Sequence, residues 1–228
     1  MDLYEQKSRS LPQKLLIMAV ELALLYVAYR LLFGGWGLTF ARWMGWPAAH
    51  DPARGAVLLA FDVVVILRIT FMMLVFLERR IPVEEAIAVP LAFGAYFVGF
   101  ALFALRATAP LGIGDGVGIA LFALGSILNT GAELQRHRWK RHAENRGHLY
   151  RGGMFAWSMH INYFGDVLWV SGYAFVSHNP WAAVVPIALF SMFAFYNVPK
   201  LDRHLAEHYG AEFDEYARST RKLVPFVY

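Results

Sequence analysis

The chain contains no cysteine, which excludes disulfides, thiolate metal sites and thiol nucleophiles. Charge is scarce: 17% of the 228 residues are Asp, Glu, Lys or Arg, against about a quarter in an ordinary soluble domain. No small-residue cleavage site follows the first apolar stretch, which is long. It therefore reads as a retained first span rather than a signal peptide. Gly112, Gly114, Gly116 and Gly118 resemble a phosphate loop only in composition; they match neither GxGxxG nor GxxxxGK[ST], and no strand precedes them. No Rossmann domain is expected, so any nucleotide has to bind among helices. His204 and His208 are four apart, but no HExxH pattern accompanies them. A solvated or ribose-contacting face is the better reading, and no metal is expected.

What the chain has in excess is apolar and aromatic. It is 58% hydrophobic, with 18 Phe, 11 Tyr and 7 Trp, in runs that approach the roughly 20 residues a helix needs to cross a bilayer. Aromatics of this kind form interfacial belts. Six spans can be drawn, near 15–33, 56–77, 86–105, 117–129, 161–176 and 181–196. Glycines and prolines punctuate the gaps, and a polar helix follows at the C-terminal end. The expected fold is an all-α polytopic transmembrane bundle forming one domain over 1–228. The net charge of +4 is modest and gives no reason to expect a nucleic-acid partner.

The distribution of cations says more than their sum. With a cytoplasmic N-terminus, the inner segments hold sixteen Lys and Arg residues, six of them between Arg136 and Arg151. The outer segments hold only Arg42, Arg54 and Arg106. The positive-inside rule then places both termini in the cytoplasm.

Ionisable residues at membrane depth are expensive, on the order of 2.5–3.5 kcal/mol each on insertion scales. Glu21 falls in span one, Asp62 and Arg68 in span two, Asn129 and Glu133 at the end of span four, and Asn162 and Asp166 at the start of span five. Asn129 and Glu133 are four apart, so they share a helical face, and Arg136 extends the stripe. Asn162 and Asp166 repeat the spacing. Interfacial capping and snorkelling would explain either stripe alone. Two matched stripes beside a loop of six cations point to an anion site, with guanidinium groups on phosphates and amide and carboxylate groups on ribose or amide. Arg68 lies roughly 15 Å deeper than Arg79 and has to face a cavity, a ligand phosphate, or a counter-ion such as Glu133, Asp62 or Glu21.

Three blocks of the C-terminal half resemble the integral-membrane superfamily of steroid 5α-reductases and sterol reductases, with its bacterial relatives and its more distant isoprenylcysteine methyltransferases. They are Asn129-Thr-Gly-Ala-Glu133-Leu-Gln-Arg136; Tyr150-Arg-Gly-Gly-Met-Phe155 with Ile161-Asn-Tyr-Phe-Gly-Asp166 and Gly172-Tyr173; and 201–216 with Arg221-Lys-Leu-Val-Pro-Phe226. The resemblance covers 129–228. It implies a cofactor-binding half there, with the substrate cavity among the spans of 1–128, in a bacterial inner membrane. It also implies NADPH held by Asn129, Glu133, Arg136, Tyr150, Arg151, Asn162, Asp166, His204 and Tyr209. Arg68, Arg79 and Arg80 resemble the family's phosphate-reaching arginines. The family's proton-donating tyrosine, three residues before the second-span arginine, is replaced here by Val65. Asp62 is the nearby acid, and Asp62 and Tyr163 are the candidate catalytic residues. Met159-His-Ile161 stands where methyltransferases and sterol reductases usually carry Arg-His-Pro.

The implied activity is NADPH-dependent hydride transfer to a lipophilic enone or polyene, the acid polarising the carbonyl. The alternatives are an S-adenosylmethionine-dependent lipid methyltransferase and a non-catalytic protein of the same fold. The expected partners are the lipophilic substrate and membrane lipid. Reporter fusions at Glu144 and after Tyr228 are expected to read cytoplasmic, and a signal from the opposite side at either position contradicts the orientation.

Overall fold

The computed structural model describes residues 10–46, 51–77 and 81–228. The Arg79–Arg80 pair lies outside the described residues. Among these, every regular element is helical: α1 Leu11–Leu32, α2 Trp36–Trp43, α3 Pro52–Val75, α4 Val83–Gly94, α5 Phe100–Ala104, α6 Ile113–Lys140, α7 Ile161–Val176, α8 Val184–Met192, α9 Val198–Tyr209 and α10 Ala211–Ser219. π-turns at Ala95–Gly99 and Phe193–Asn197 join α4 to α5 and α8 to α9. Local chemistry sets several boundaries. Asp51 caps α3 by accepting from the Arg54 amide at 2.9 Å, with Pro52 in the first turn. Gly35 takes φ +84° between α1 and α2, and Gly210 takes φ +51° between α9 and α10.

Among the described residues, five helical segments are long and apolar enough to cross a membrane: Leu11–Leu32, Pro52–Val75, Val83–Ala104, Ile113–Lys140 and Pro180–Tyr209. The six expected spans need three corrections. The fifth has the expected bounds, but its 16 residues extend only about 24 Å, short of the roughly 30 Å hydrocarbon core. The fourth does not stop at Asn129 but runs for 28 residues, about 42 Å, so the Asn129–Arg136 stripe continues on one uninterrupted helix. The sixth runs through its π-turn into α9, so the polar terminal helix is the end of that span plus the separate α10.

The chain divides into two compact units, 1–119 with 172–183 and 120–171 with 184–228. In the first, α1 packs on α3 and α4 around Ile17, Met73, Ile81 and Ala86. Lys14 Nζ donates to the Leu77 carbonyl at 2.7 Å, which sets α1 antiparallel to α3. Arg54, assigned above to an outer loop, is instead fully buried in the first turn of α3. It pairs with Asp115 through both guanidinium nitrogens and also donates to the carbonyls of Val176 and Ala109. Asp115 further accepts from the Gly112 amide at 2.8 Å. Such a pair can occupy an apolar interior because both guanidinium Nη atoms and both carboxyl oxygens are matched.

In the second unit, α6 and α7 touch backbone to backbone. A Cβ on Gly125 would meet the Trp169 nitrogen at 2.3 Å and the Gly165 oxygen at 2.5 Å, and one on Gly165 would meet the Asn129 nitrogen at 2.6 Å. Small residues allow this approach in membrane helices. Leu128, Ala132, Phe155 and Ile161 pack beside the crossing. Gly125→Ala is therefore expected to lower stability by about 1–3 kcal/mol in thermal unfolding of the solubilised protein. Gly116→Ala on the same helix, where nothing lies within 4 Å, is expected to be neutral or stabilising.

Candidate functional site

The glycine crossing brings the two predicted stripes into contact. Asn129 Nδ2 donates to Asp166 Oδ1 at 2.9 Å and to the Asn162 carbonyl at 3.2 Å. Asn162 Nδ2 donates to Glu133 Oε1 at 2.9 Å. Each helix thus contributes one carboxamide and one carboxylate, and each amide serves the acid of the other helix. Trp169 Nε1 also donates to Asp166 Oδ1 at 2.7 Å, and Arg136 Nη2 pairs with Glu133 Oε2 at 2.5 Å. Asn129 and Glu133 are buried, while Asn162, Asp166 and Arg136 remain half-buried.

The loop after α6 folds back onto this region. Gly153 takes φ +55°, which carries the chain past Gln135, and Gln135 Oε1 accepts from the Met154 amide at 2.9 Å. Tyr150 packs on Trp139 and Phe155, and the Arg136 guanidinium lies 5.4 Å from the Phe155 ring centre. Arg136 is also within electrostatic reach of Tyr209 and Tyr216. The structure therefore gathers Arg136, Tyr150 and Tyr209 in one region. Arg151 is exposed and pairs with Glu215 at 2.7 Å, and His204 is half-buried with its ring stacked on His208. Tyr163 packs between His160 and Phe193, 4.5 Å from the latter's ring centre. His160, buried just before α7, bonds Asp202 at 2.7 Å, and Asp202 also pairs with Lys222. This ties the terminal segment to the start of α7.

α10 clasps the same loop. Glu212 accepts from the Leu149 amide at 2.8 Å and meets His148 Nδ1 at 2.6 Å. Tyr216 donates its hydroxyl to the Phe155 carbonyl at 2.5 Å. The Leu149 amide, and after it His148, hold the Glu212 carboxyl below its ordinary value, and burial raises the Tyr216 hydroxyl.

In the first unit Asp62 is almost wholly buried and accepts a 2.8 Å hydrogen bond from the Tyr173 hydroxyl. Tyr173 is fully buried, stacked on Phe100 and set edge-on to Phe61, each at 5.1 Å between ring centres. Arg68 is half-buried and within electrostatic reach of Tyr173. Glu21 is no counter-ion for Arg68: neither of its carboxyl oxygens has a hydrogen-bond partner.

Sequence reasoning missed Gln135, Trp169, Tyr173, Glu212 and Tyr216. Trp169 stands one turn beyond Asp166, and Gln135, Tyr173, Glu212 and Tyr216 lie in recognised blocks, so each had a signal. That Gln135 and Glu212 act on backbone amides of the 149–154 loop is a pairing no spacing reveals.

The residues of the second unit fit a phosphorylated nucleotide. Its amides and acids offer donors and acceptors to ribose and carboxamide groups. Arg141 and Arg146 are exposed and have no carboxylate partner among the described residues, which leaves them available to phosphate. Among the described residues no group of three His, Asp or Glu is placed to hold a metal ion.

The fold defines an all-helical polytopic membrane protein, and its relatives are membrane reductases and methyltransferases. The chain belongs to the DUF1295 family, described as of unknown function and steroid 5-alpha reductase-like, whose pattern matches residues 88–220. It is 35% identical over 89 residues to a probable O-methyltransferase, ustE, of Ustilaginoidea virens, covering 38% of this chain and 31% of that one. It is 25% identical over 112 residues to human 3-oxo-5-alpha-steroid 4-dehydrogenase 1, covering 49% and 41%. It is 26% identical over 100 residues to the protein-S-isoprenylcysteine O-methyltransferase of Saccharomyces cerevisiae, covering 44% and 42%. The matches thus span between about a third and two fifths of these relatives' own length.

The clasp gives a pH-dependent prediction. Because the Glu212 carboxyl lies below its ordinary value of 4.5, its contribution is complete above that value and is lost as pH falls through the lowered one. Hydrogen exchange along 148–155, corrected for intrinsic rates, is expected to accelerate on acidification. Glu212→Gln is expected to be fast throughout and to remove the transition.

Proposed function

We propose that the protein is an NADPH-dependent membrane reductase acting on a lipophilic enone or polyene. The reciprocal acid–amide network of α6 and α7, inside the sequence blocks most like the reductases, is the observation that carries this reading. A bound NADPH would supply the hydride. Asn129, Glu133, Asn162 and Asp166 hold the nucleoside parts through groups already oriented by one another, and Tyr150 and Tyr209 flank them. Arg136, Arg141 and Arg146 bind phosphate, and this concentration of arginine favours the 2′-phosphate of NADPH over NADH. The cation-rich end of α6 faces the cytoplasm, where the nucleotide is found.

The proton is assigned to Tyr173 and Asp62. Val65 stands where the resembling family has its tyrosine, but α7 supplies a phenol to the same helix. Tyr173 Oη holds the proton and Asp62 Oδ1 accepts its hydrogen bond, which orients the hydroxyl. The substrate is lipid-soluble because the helices around this pair present apolar surface.

A second reading, an S-adenosylmethionine-dependent lipid methyltransferase, is favoured by the 35% identity to a probable O-methyltransferase. Calorimetric titration of the solubilised protein separates the two. NADPH is expected to bind more tightly than NADH, and S-adenosylmethionine not at all. Asn162→Ala and Asp166→Ala are each expected to weaken NADPH about 5- to 150-fold, the cost of an unpartnered buried group, while Arg218→Ala on exposed α10 leaves it unchanged. Lost thermal stability with unchanged affinity in both variants would make the network purely structural. Binding of S-adenosylmethionine alone would replace the reductase by the methyltransferase.

A further inference from the structure

The last turn of α1 carries a cation held in place entirely by uncharged groups. Arg30 is half-buried there. Its guanidinium donates to the Tyr26 hydroxyl at 2.9 Å and to the Gly34 carbonyl at 3.5 Å. It lies 4.6 Å from the Trp36 ring centre and 5.8 Å from that of Tyr26. Gly34 makes room for this placement, since a Cβ there would stand 2.4 Å from Nε and 2.6 Å from Cδ of Arg30. Among the described residues no carboxylate pairs with Arg30. Aromatic faces attract the guanidinium without cancelling its charge, and the two hydrogen bonds engage only two of its five N–H groups.

Trp36, which covers this cation, is also the first wall of a groove. α2 buries its two small residues, Gly37 and Ala41, and a Cβ on Gly37 would meet the Leu31 carbonyl at 2.1 Å. Its large residues are left outside: Trp36 is 43% exposed and Trp43 79% exposed. Trp36, Thr39, Phe40 and Trp43 have the i, i+3, i+4, i+7 spacing of one helical face. With Leu31 they line an open groove of about 400 Å³, within the size range of small-molecule sites. The surroundings are cationic. Arg42 is exposed on α2, and Arg106 lies 5.3 Å from the Trp46 ring centre. The acids of the adjoining segments are engaged, Asp51 as the cap of α3 and Asp115 with Arg54.

We infer that the corner between α1 and α2 binds one anionic phospholipid of the surrounding bilayer, its phosphate on Arg30 and one acyl chain in the groove walled by Trp36, Phe40 and Trp43. A guanidinium with N–H groups to spare suits a phosphate, and the groove beside it suits an apolar chain. The corner stands at the end of a membrane span, the level at which tryptophan and lipid head groups meet. The surplus of cations attracts an anionic head group and opposes one that carries an ammonium. The site lies wholly in the first unit and shares no residue with the α6–α7 network, so it stands apart from the reductase reading.

The test uses the full chain in lipid-free detergent micelles and four probes: dioleoyl phosphatidylglycerol, dioleoyl phosphatidylcholine, dioleoylglycerol, which has no phosphate, and glycerol 3-phosphate, which has no acyl chain. Native mass spectrometry is expected to show saturable one-to-one binding of phosphatidylglycerol, with phosphatidylcholine weaker and glycerol 3-phosphate not retained. Dioleoylglycerol is expected to bind about 10- to 150-fold more weakly, the loss of hydrogen bonds to a charged group. Arg30→Gln is expected to bring phosphatidylglycerol down to the level of dioleoylglycerol. Trp43→Ala, which leaves the contacts of Arg30 in place, is expected to weaken both lipids alike. Phosphatidylglycerol is expected to raise the unfolding temperature of the wild-type protein but not that of Arg30→Gln. If Arg30→Gln does not fold, Trp43→Ala and the four probes decide alone. Equal binding of dioleoylglycerol or of glycerol 3-phosphate, no saturable binding of phosphatidylglycerol, or unchanged binding in Trp43→Ala would each overturn the inference. So would an equal loss in Arg42→Gln, which would reduce the site to diffuse surface charge.

Discussion

Two carboxylates and two carboxamides set near the end of a long apolar helix and the start of a short one have little water to satisfy them. Their bonds must come from each other, and that requirement organises the second unit. Asn129 and Asp166 form one pair and Asn162 and Glu133 the other, which is possible only because Gly125 and Gly165 let the two backbones touch. A single methyl group at the crossing would push the helices apart and strip the two carboxamides of their cross-helix acceptors. Backbone packing and the proposed cofactor chemistry are thus one constraint seen at two levels. The outer members of the network, Arg136 and Trp169, extend it without being needed to close it.

The first unit applies the same rule with different groups. Arg54 and Asp115 neutralise one another and take up the carbonyls of Val176 and Ala109, fixing several chain segments at one buried point. Asp62 and Tyr173 form a second matched pair, walled by Phe61 and Phe100. The aromatic walls hold the phenol in one orientation, with its hydroxyl directed at the carboxylate. Glu21 departs from the rule: neither of its carboxyl oxygens has a hydrogen-bond partner.

Much of this was legible in the sequence, for definable reasons. Long apolar runs fix helices, and four-residue spacing fixes a shared face, so both polar stripes could be read before their partners were known. The sequence could not indicate that the stripes face each other, because that depends on glycines whose role appears only when two helices cross. It could not place Arg54 correctly either. A cation just after a proline near a span boundary reads as a loop residue unless its partner, 61 positions later, is known. Tyr173 is another case: its hydroxyl reaches Asp62 from α7, over a hundred residues away. Local pattern reveals which residues share a helix face. Pairings between distant segments need the fold.

The central claim is that the α6–α7 network is a nucleotide cradle rather than a structural tie alone. Hydrogen exchange of the nanodisc-embedded protein, with and without saturating NADPH, tests it most directly. Residues 129–136, 150–155 and 161–166 are expected to gain protection with NADPH and to be unchanged by S-adenosylmethionine. No protection in these segments at a nucleotide concentration that saturates binding, or protection by S-adenosylmethionine instead, would contradict the account.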